Sequence, residues 1–230
     1  MKKIVCLMLL LVLCLGALPA FAAGKLSVTQ ENFHYVTSFW NYGYAYAKVK
    51  NVGDKPIKVN AGVLEIYDAN GEVLTSADYV QAYATYLQPG EYTYVEMYDE
   101  LEEGQIPDDY MMTLTGKSEN DKLAYRLPVE AAFELGVQQG WWEYDYLYAT
   151  VTNPTVDILY NVEVVFALLD AEDNIIYVES KELYSEVGIM PGQSVMLRKE
   201  ISSAFMEYFD AKGIVPVAVD ALAYVLMDVE

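Results

Sequence analysis

Hydrophobic and polar residues follow a short-range pattern through most of the chain. Apolar stretches of four to eight residues, rich in Val, Ile, Tyr and Thr, are separated by turn residues such as those at 88–90 and 190–192. This pattern predicts β-strands, because side chains alternate between the two faces of a strand. Strands that recur about every ten residues indicate an antiparallel sandwich rather than a parallel sheet. Only 203–212, which is followed by Gly213, has helical spacing.

The chain also contains an internal repeat. Residues 44–51 (Tyr-Ala-Tyr-Ala-Lys-Val-Lys-Asn) align with residues 146–153 (Tyr-Leu-Tyr-Ala-Thr-Val-Thr-Asn), an offset of 102 residues (146 − 44 = 102). Further pairs are Trp40 with Trp142, 68–69 with 170–171, 89–90 with 191–192 and, at a slightly smaller offset, 123–125 with 222–224. A fixed register across separated blocks indicates a duplication. We therefore predict two tandem domains, 23–126 and 127–230, after an N-terminal segment, 1–22.

Each repeat has a strand end that resembles the FxLYD domain family, which is named for a Phe-x-Leu-Tyr-Asp motif. The first copy reads Leu-Glu-Ile-Tyr-Asp over 64–68, and the second reads Phe-Ala-Leu-Leu-Asp over 166–170. The first therefore departs from the motif at Leu64 and Ile66, and the second at Leu169. The resemblance implies an immunoglobulin-like sandwich typical of bacterial exported or surface proteins, and no activity. We predict an all-β chain of two tandem immunoglobulin-like antiparallel β-sandwich domains, with one short helix in the second.

The N-terminus has the features of a secretory signal peptide. Two lysines precede an apolar run over 4–18, and Ala-Phe-Ala at 20–22 provides small residues for cleavage. An uncleaved membrane anchor is the alternative, although the run is short for a span. Cleavage removes Cys6 and Cys14, the two cysteines of the chain, so no disulfide stabilises the mature part. We predict that the mature protein is secreted or held in the cell envelope, with no membrane span.

The charge of the chain limits its partners. Asp and Glu number 34 against 14 Lys and Arg, which gives a formal net charge of −20. Such a field repels the phosphates of nucleic acids and anionic lipid surfaces. We therefore predict no nucleic-acid partner.

Few residues suit catalysis. His34 is the one histidine, and the sequence has no phosphate loop, nucleophile elbow or dinucleotide fingerprint. A glycoside hydrolase needs two carboxylates that face each other across a cleft, and the adjacent acids at 102–103 and 108–109 do not predict one. We predict no enzyme activity and no cofactor, with a wall-polymer hydrolase as a distant alternative.

A metal site is a further candidate. Residues 68–72 (Asp-Ala-Asn-Gly-Glu) imitate the beginning of a calcium-binding loop but lack its distal glutamate. The same residues are preferred in hairpin turns, so we predict a turn and no metal site.

The most distinctive feature is a pair of aromatic ladders with period two. In each copy the aromatic residues share one parity: Trp40, Tyr42, Tyr44 and Tyr46 in the first, and Trp142, Tyr144, Tyr146 and Tyr148 in the second. Small apolar residues occupy the other parity, which we predict to face the core. The aromatic rings would then lie on an outer sheet face, unless a β-bulge at Gly43 shifts the register.

The ladders suggest two classes of function. Outward rings suit sugar rings or extended peptides, because tyrosine offers a flat apolar face and a hydroxyl group. We therefore predict an exported, non-catalytic binding or adhesion module of the bacterial cell envelope, with a glycan, peptide or protein as partner. The alternative is a structural or self-associating spacer, in which the ladders pack between the copies or in a homodimer. Exposure of the rings separates the two.

Overall fold

The computed structural model describes residues 24–37, 41–184 and 186–229, most of which lie in antiparallel strands. The predicted fold class is confirmed, since the strands form antiparallel β-sandwiches and one short helix lies in the second half. The predicted signal peptide (1–22) and Trp40 lie outside the described residues.

The strands divide into two groups along the chain. The first group comprises β1 (Leu26–Thr37), β2 (Asn41–Asn51), β3 (Ile57–Tyr67), β4 (Val73–Ala77), β5 (Gln81–Ala82), β6 (Tyr86–Leu87), β7 (Tyr92–Glu100) and β8 (Asp109–Lys117). The second comprises β9 (Lys122–Leu127), β10 (Val129–Gln139), β11 (Trp142–Thr152), β12 (Val162–Leu169), β13 (Ile175–Leu183), β14 (Ser194–Glu200), the helix α1 (Ser203–Lys212) and β15 (Ala218–Asp228).

The first sandwich packs one sheet, in the order β1-β2-β7-β5, on a second sheet in which β3 pairs with β4, β6 and β8. The small residues Ala45, Ala47 and Val49 of β2 are fully buried in the core between them. The β1–β2 register runs without a shift from Gln30 to Thr37, so no bulge occurs opposite Gly43. The predicted inward face of β2 is therefore confirmed.

The second sandwich repeats this plan and adds a helix and a further strand, β9. Its sheets have the orders β10-β11-β14 and β13-β12-β15-β9. Leu147, Ala149 and Val151 of β11 are buried in its core. The predicted helix is present: it ends at Gly213, whose left-handed backbone (φ 67°) lets its N–H bond to the last turn, and it buries Phe205.

Strand pairing extends the repeat beyond the residues that look alike. Tyr46 pairs with Glu96 as Tyr148 pairs with Arg198, so the offset of 102 also relates β7 to β14. Glu65 pairs with Met111, and its equivalent Ala167 pairs with Asp220, so β8 and β15 are related by an offset of 109 (220 − 111 = 109). The larger offset follows from the insertion of α1 between β14 and β15.

Among the described residues, no strand of the first sandwich corresponds to β9. It pairs with β15, and the predicted boundary between residues 126 and 127 falls inside it. Residues 123–125 and 222–224, which look alike, are therefore on neighbouring strands of one sheet and are not equivalent positions. Their similarity reflects a shared pattern of inward and outward residues, and the structural equivalent of 222–224 is 113–115.

Candidate functional site

The first ladder consists of Tyr42, Tyr44 and Tyr46 on β2. Their rings follow one another along the strand, with centroids 5.9 Å apart for Tyr42–Tyr44 and 6.3 Å for Tyr44–Tyr46. They lie on the face opposite the small core residues, as the parity predicts. Yet Tyr46 has 0% of its surface exposed, and Tyr44 is half-buried. Another part of the chain therefore covers this outer face.

The cover is the second sandwich. The ring of Phe205, on α1, lies 4.9 Å from that of Tyr44. Tyr46 and Tyr94 belong to the same hydrophobic cluster as the core of the second sandwich. On the opposite side, Val165 of β12 points away from its own core and is nonetheless fully buried. The first ladder is thus an interface between the copies, and Tyr46 has no surface to offer a ligand.

A single carboxylate organises the polar part of this interface. Asp220 Oδ2 accepts hydrogen bonds from Tyr92 Oη (3.0 Å) and Tyr94 Oη (2.5 Å), and it pairs with Lys48 Nζ (3.0 Å). Burial alone would raise the pKa of Asp220, but the hydrogen bonds from Tyr94 and Lys48 outweigh it and hold the pKa below its ordinary value. Lys48 continues the parity of the ladder, so its position on this face agrees with the sequence pattern.

The edge of β13 completes the interface. The backbone carbonyl of Ile175 accepts a hydrogen bond from Asn32 Nδ2 (3.0 Å) and lies 3.3 Å from His34 Nε2. His34 is buried and also lies 3.3 Å from the hydroxyl of Tyr208 on α1. Burial lowers the pKa of His34, which favours the neutral ring. These contacts give the histidine a structural role at the junction.

One acidic group in the interface is held away from water. Burial raises the pKa of Glu96 to about 7; the hydrogen bond from Tyr83 Oη (3.1 Å) opposes this rise, and the nearby carboxylate of Glu179 adds to it. Glu179 itself pairs with Lys199, at 3.2 Å. Proton uptake by Glu96 therefore relieves repulsion inside the interface.

We expect Glu96 to make stability depend on pH near neutrality. The folded protein holds this proton up to about pH 7, whereas the unfolded chain releases it near the ordinary value of 4.5. Stability therefore falls as pH rises through this window, by roughly 1–3 kcal/mol. Glu96→Gln should flatten that part of the pH profile in urea denaturation, with Glu207→Gln as an exposed control. An unchanged slope between about pH 5 and pH 8 would refute this assignment.

The second ladder, Trp142, Tyr144, Tyr146 and Tyr148 on β11, is in a different environment. No part of the described chain packs over it as the second sandwich packs over the first ladder. Trp142 is 70% exposed, and Tyr144 and Tyr148 are partly exposed. Tyr146 is buried beneath Arg198, whose guanidinium lies 4.4 Å from the ring centroid. This face is open to solvent.

Two residues of β14 extend this face and were not predicted. Arg198 pairs with Tyr148, and Met196 pairs with Thr150. Both side chains point the same way as the rings, and Met196 is 67% exposed. The period-two pattern of β14 could have identified them once its pairing with β11 was known. The structure thus shows an aromatic and apolar strip that carries one cation.

The acidic turns behave as hairpin turns. Asp68 Oδ1 accepts the backbone N–H groups of Asn70 (2.9 Å) and Glu72 (2.8 Å), and Asp170 Oδ1 does the same for Glu172 and Asn174. The N–H of Glu72 and the side chain of Asn70 lower the pKa of Asp68. Within 24–37, 41–184 and 186–229, no three His, Cys, Asp or Glu side chains are grouped to hold a metal ion.

No protein-family model matches the chain, and no curated protein matches it. In the part of the chain that the structure describes, no helix has the length and apolar character needed to cross a membrane.

Proposed function

We propose that this chain is an exported, non-catalytic binding and adhesion module of the bacterial cell envelope, and that its second ladder binds the surface of a protein. Export, through the predicted signal peptide, and the resemblance to FxLYD domains are parts of this proposal. The aromatic strip supplies most of the binding surface, because Trp, Tyr, Met and Arg are enriched at the centres of protein interfaces.

One observation supports this proposal above the others. The first ladder, which is the structural equivalent of the second, packs against a β-sheet of the neighbouring sandwich. The chain therefore already uses one such face to bind a sandwich domain. The side chains of Trp142 and Met196 are exposed and form an apolar strip along the second ladder. Such a strip is typical of an unoccupied interaction surface.

A glycan is the second candidate partner. The exposed ring of Trp142 favours it, since a flat indole can stack on the apolar face of a sugar. Soluble oligosaccharides of bacterial cell walls should then change the tryptophan emission of the mature protein in a saturable way, and Trp142→Ala should abolish the change. Under the protein-binding proposal the same oligosaccharides leave the emission unaltered.

Photo-cross-linking in the producing cells tests the proposal. Met196 is replaced by a photoreactive benzoylphenylalanine, and the exposed Val156, which lies in the loop after β11 and is not part of the ladder, serves as the control position. We expect irradiation to join residue 196 to a polypeptide, identified by mass spectrometry, while residue 156 gives no such product. Attachment to a glycan, or no product at residue 196, would overturn the proposal.

A further inference from the structure

Two surfaces form the internal interface, and because the domain is duplicated each of these surfaces also occurs on the other sandwich, where it takes no part in that interface. Inside the chain, the ladder face of the first sandwich packs on the outer face of the β12–β15 pair of the second. Within residues 24–37, 41–184 and 186–229, nothing packs in this way on the ladder face of the second sandwich or on the outer face of the β3–β8 pair of the first. We propose that these two faces bind each other between molecules, so that the mature chain assembles head to tail. This inference rests on the proposed function and names a second copy of the chain as the partner.

The two unused faces are defined by equivalence to the internal interface. The binding face on β11 and β14 is the second ladder with Met196 and Arg198. The receiving face lies on β3 and β8, where Val63 and Met111 point outward as Val165 and Asp220 do in the second sandwich. Val165 is fully buried, in the same hydrophobic cluster as Tyr46 and Tyr94, whereas Val63 is exposed and Met111 is 48% exposed. The receiving face therefore leaves two apolar side chains in water.

The polar residues of the Asp220 contact in the internal interface are replaced by neutral residues on both of the unused faces. Inside the chain, Lys48, Tyr92 and Tyr94 meet the carboxylate of Asp220. Their equivalents on the second ladder face are neutral: Thr150, Ser194 and Met196. The equivalent of Asp220 on the receiving face is Met111, which is also neutral. Docking in the same geometry as the internal interface therefore requires no ion pair at this position, because both Met111 and Thr150 are neutral. It also places apolar Met196 in the region of apolar Met111.

Charge is also compatible with this docking. Arg198 occupies the position of Glu96, which lies near the acidic group of Glu179 in the internal interface. On the receiving face, Glu65 replaces the apolar Ala167 of the second sandwich. The ladder face thus gains a cation and the receiving face gains an acid, so the two faces carry opposite charges.

The loop between β7 and β8 supplies a further apolar group. It occupies the same place along the chain as α1, which packs Phe205 on Tyr44 in the internal interface. Ile106 in this loop is exposed. In the proposed docking it is the apolar residue available to cover Tyr146, the equivalent of Tyr44. Because the two faces differ, the contact is heterologous, so it builds rings or open filaments rather than closed two-fold dimers.

The oligomeric state of the purified mature chain tests this inference. We expect light scattering and sedimentation to show association that grows with concentration. Met196→Asp should block the ladder face, and Met111→Asp should block the receiving face, so each variant alone stays monomeric. Val156→Asp, at an exposed position outside both faces, should associate like the wild type. Circular dichroism and thermal melts confirm that each variant folds.

Mixing the two blocked variants gives the decisive result. Each retains the face that the other lacks, so an equimolar mixture should form a one-to-one dimer and nothing larger. A wild type that stays monomeric at millimolar concentration, a mixture that does not dimerise, or a Met111→Asp variant that still dimerises through its ladder would each overturn the inference. If residue 196 cross-links in cells to a different protein while the purified chain stays monomeric, the proposed function stands and this inference fails.

Discussion

Replacing Tyr46 with serine should lower the free energy of unfolding by about 3–5 kcal/mol, whereas the same change at Tyr148 should cost less than about 1 kcal/mol. The two residues occupy equivalent positions, 102 residues apart, on equivalent strands. Tyr46 is fully buried between the sandwiches, so its loss leaves a cavity that the interface must collapse to fill. Tyr148 remains partly exposed, so water replaces much of the lost ring.

Urea denaturation followed by circular dichroism measures both variants under the same conditions. Tyr46→Phe is the control for the hydroxyl, which is buried without a hydrogen-bond partner in the structure. Because an unpaired buried hydroxyl is unfavourable, this control should be as stable as the wild type or more stable by up to about 1–2 kcal/mol. Equal losses at Tyr46 and Tyr148 would show that the two ladders have the same environment.

The second large effect is expected at Asp220. Asp220→Ala removes the acceptor shared by Lys48, Tyr92 and Tyr94, and it leaves a partly buried ammonium without its counter-charge. We expect a loss of about 2 kcal/mol, below the range for fully buried ion pairs, because both charged side chains keep some contact with water. Glu207→Ala, on the exposed face of α1, should stay within about 0.5 kcal/mol of the wild type.

The contribution of Asp220 also has a defined pH dependence. Its pKa in the folded protein lies below the ordinary value, so the stabilisation is present above the pKa of the unfolded chain and is lost as pH falls through the folded-state pKa. The wild type and Asp220→Ala should therefore converge in stability at acidic pH. A difference that persists unchanged in strong acid would mean that the side chain acts through packing and not through its charge.

The faces of the strands could be predicted from the sequence because alternation is a local property. Ala45, Ala47 and Val49 are too small and apolar to suit any face but the core, and their parity fixes the direction of the tyrosines. The helix at 203–212 was also predictable, since Gly213 ends it and its apolar residues have helical spacing. Asp68 and Asp170 accept backbone N–H groups of residues that follow them in the turn, as turn residues are expected to do.

The environment of each ladder was not predictable, because it depends on residues far away in the chain. Tyr46 and Tyr148 lie in nearly identical local sequences, yet only Tyr46 is covered. The difference is made by the second sandwich, whose Phe205 packs on the neighbouring Tyr44 from more than 150 residues further along the chain. Likewise β9 begins before the predicted domain boundary, and only its pairing with β15 places it in the second sandwich.

Hydroxyl-radical footprinting of the mature chain, at a dilution where it is monomeric, tests most directly whether one ladder is closed and the other open. We predict rapid oxidation of Trp142 and Met196, intermediate oxidation of Tyr148, and strong protection of Tyr46 and Tyr94. Oxidation of Tyr46 at the same rate as Tyr148 would contradict the account, since it would place the first ladder in water and remove the interface between the two copies.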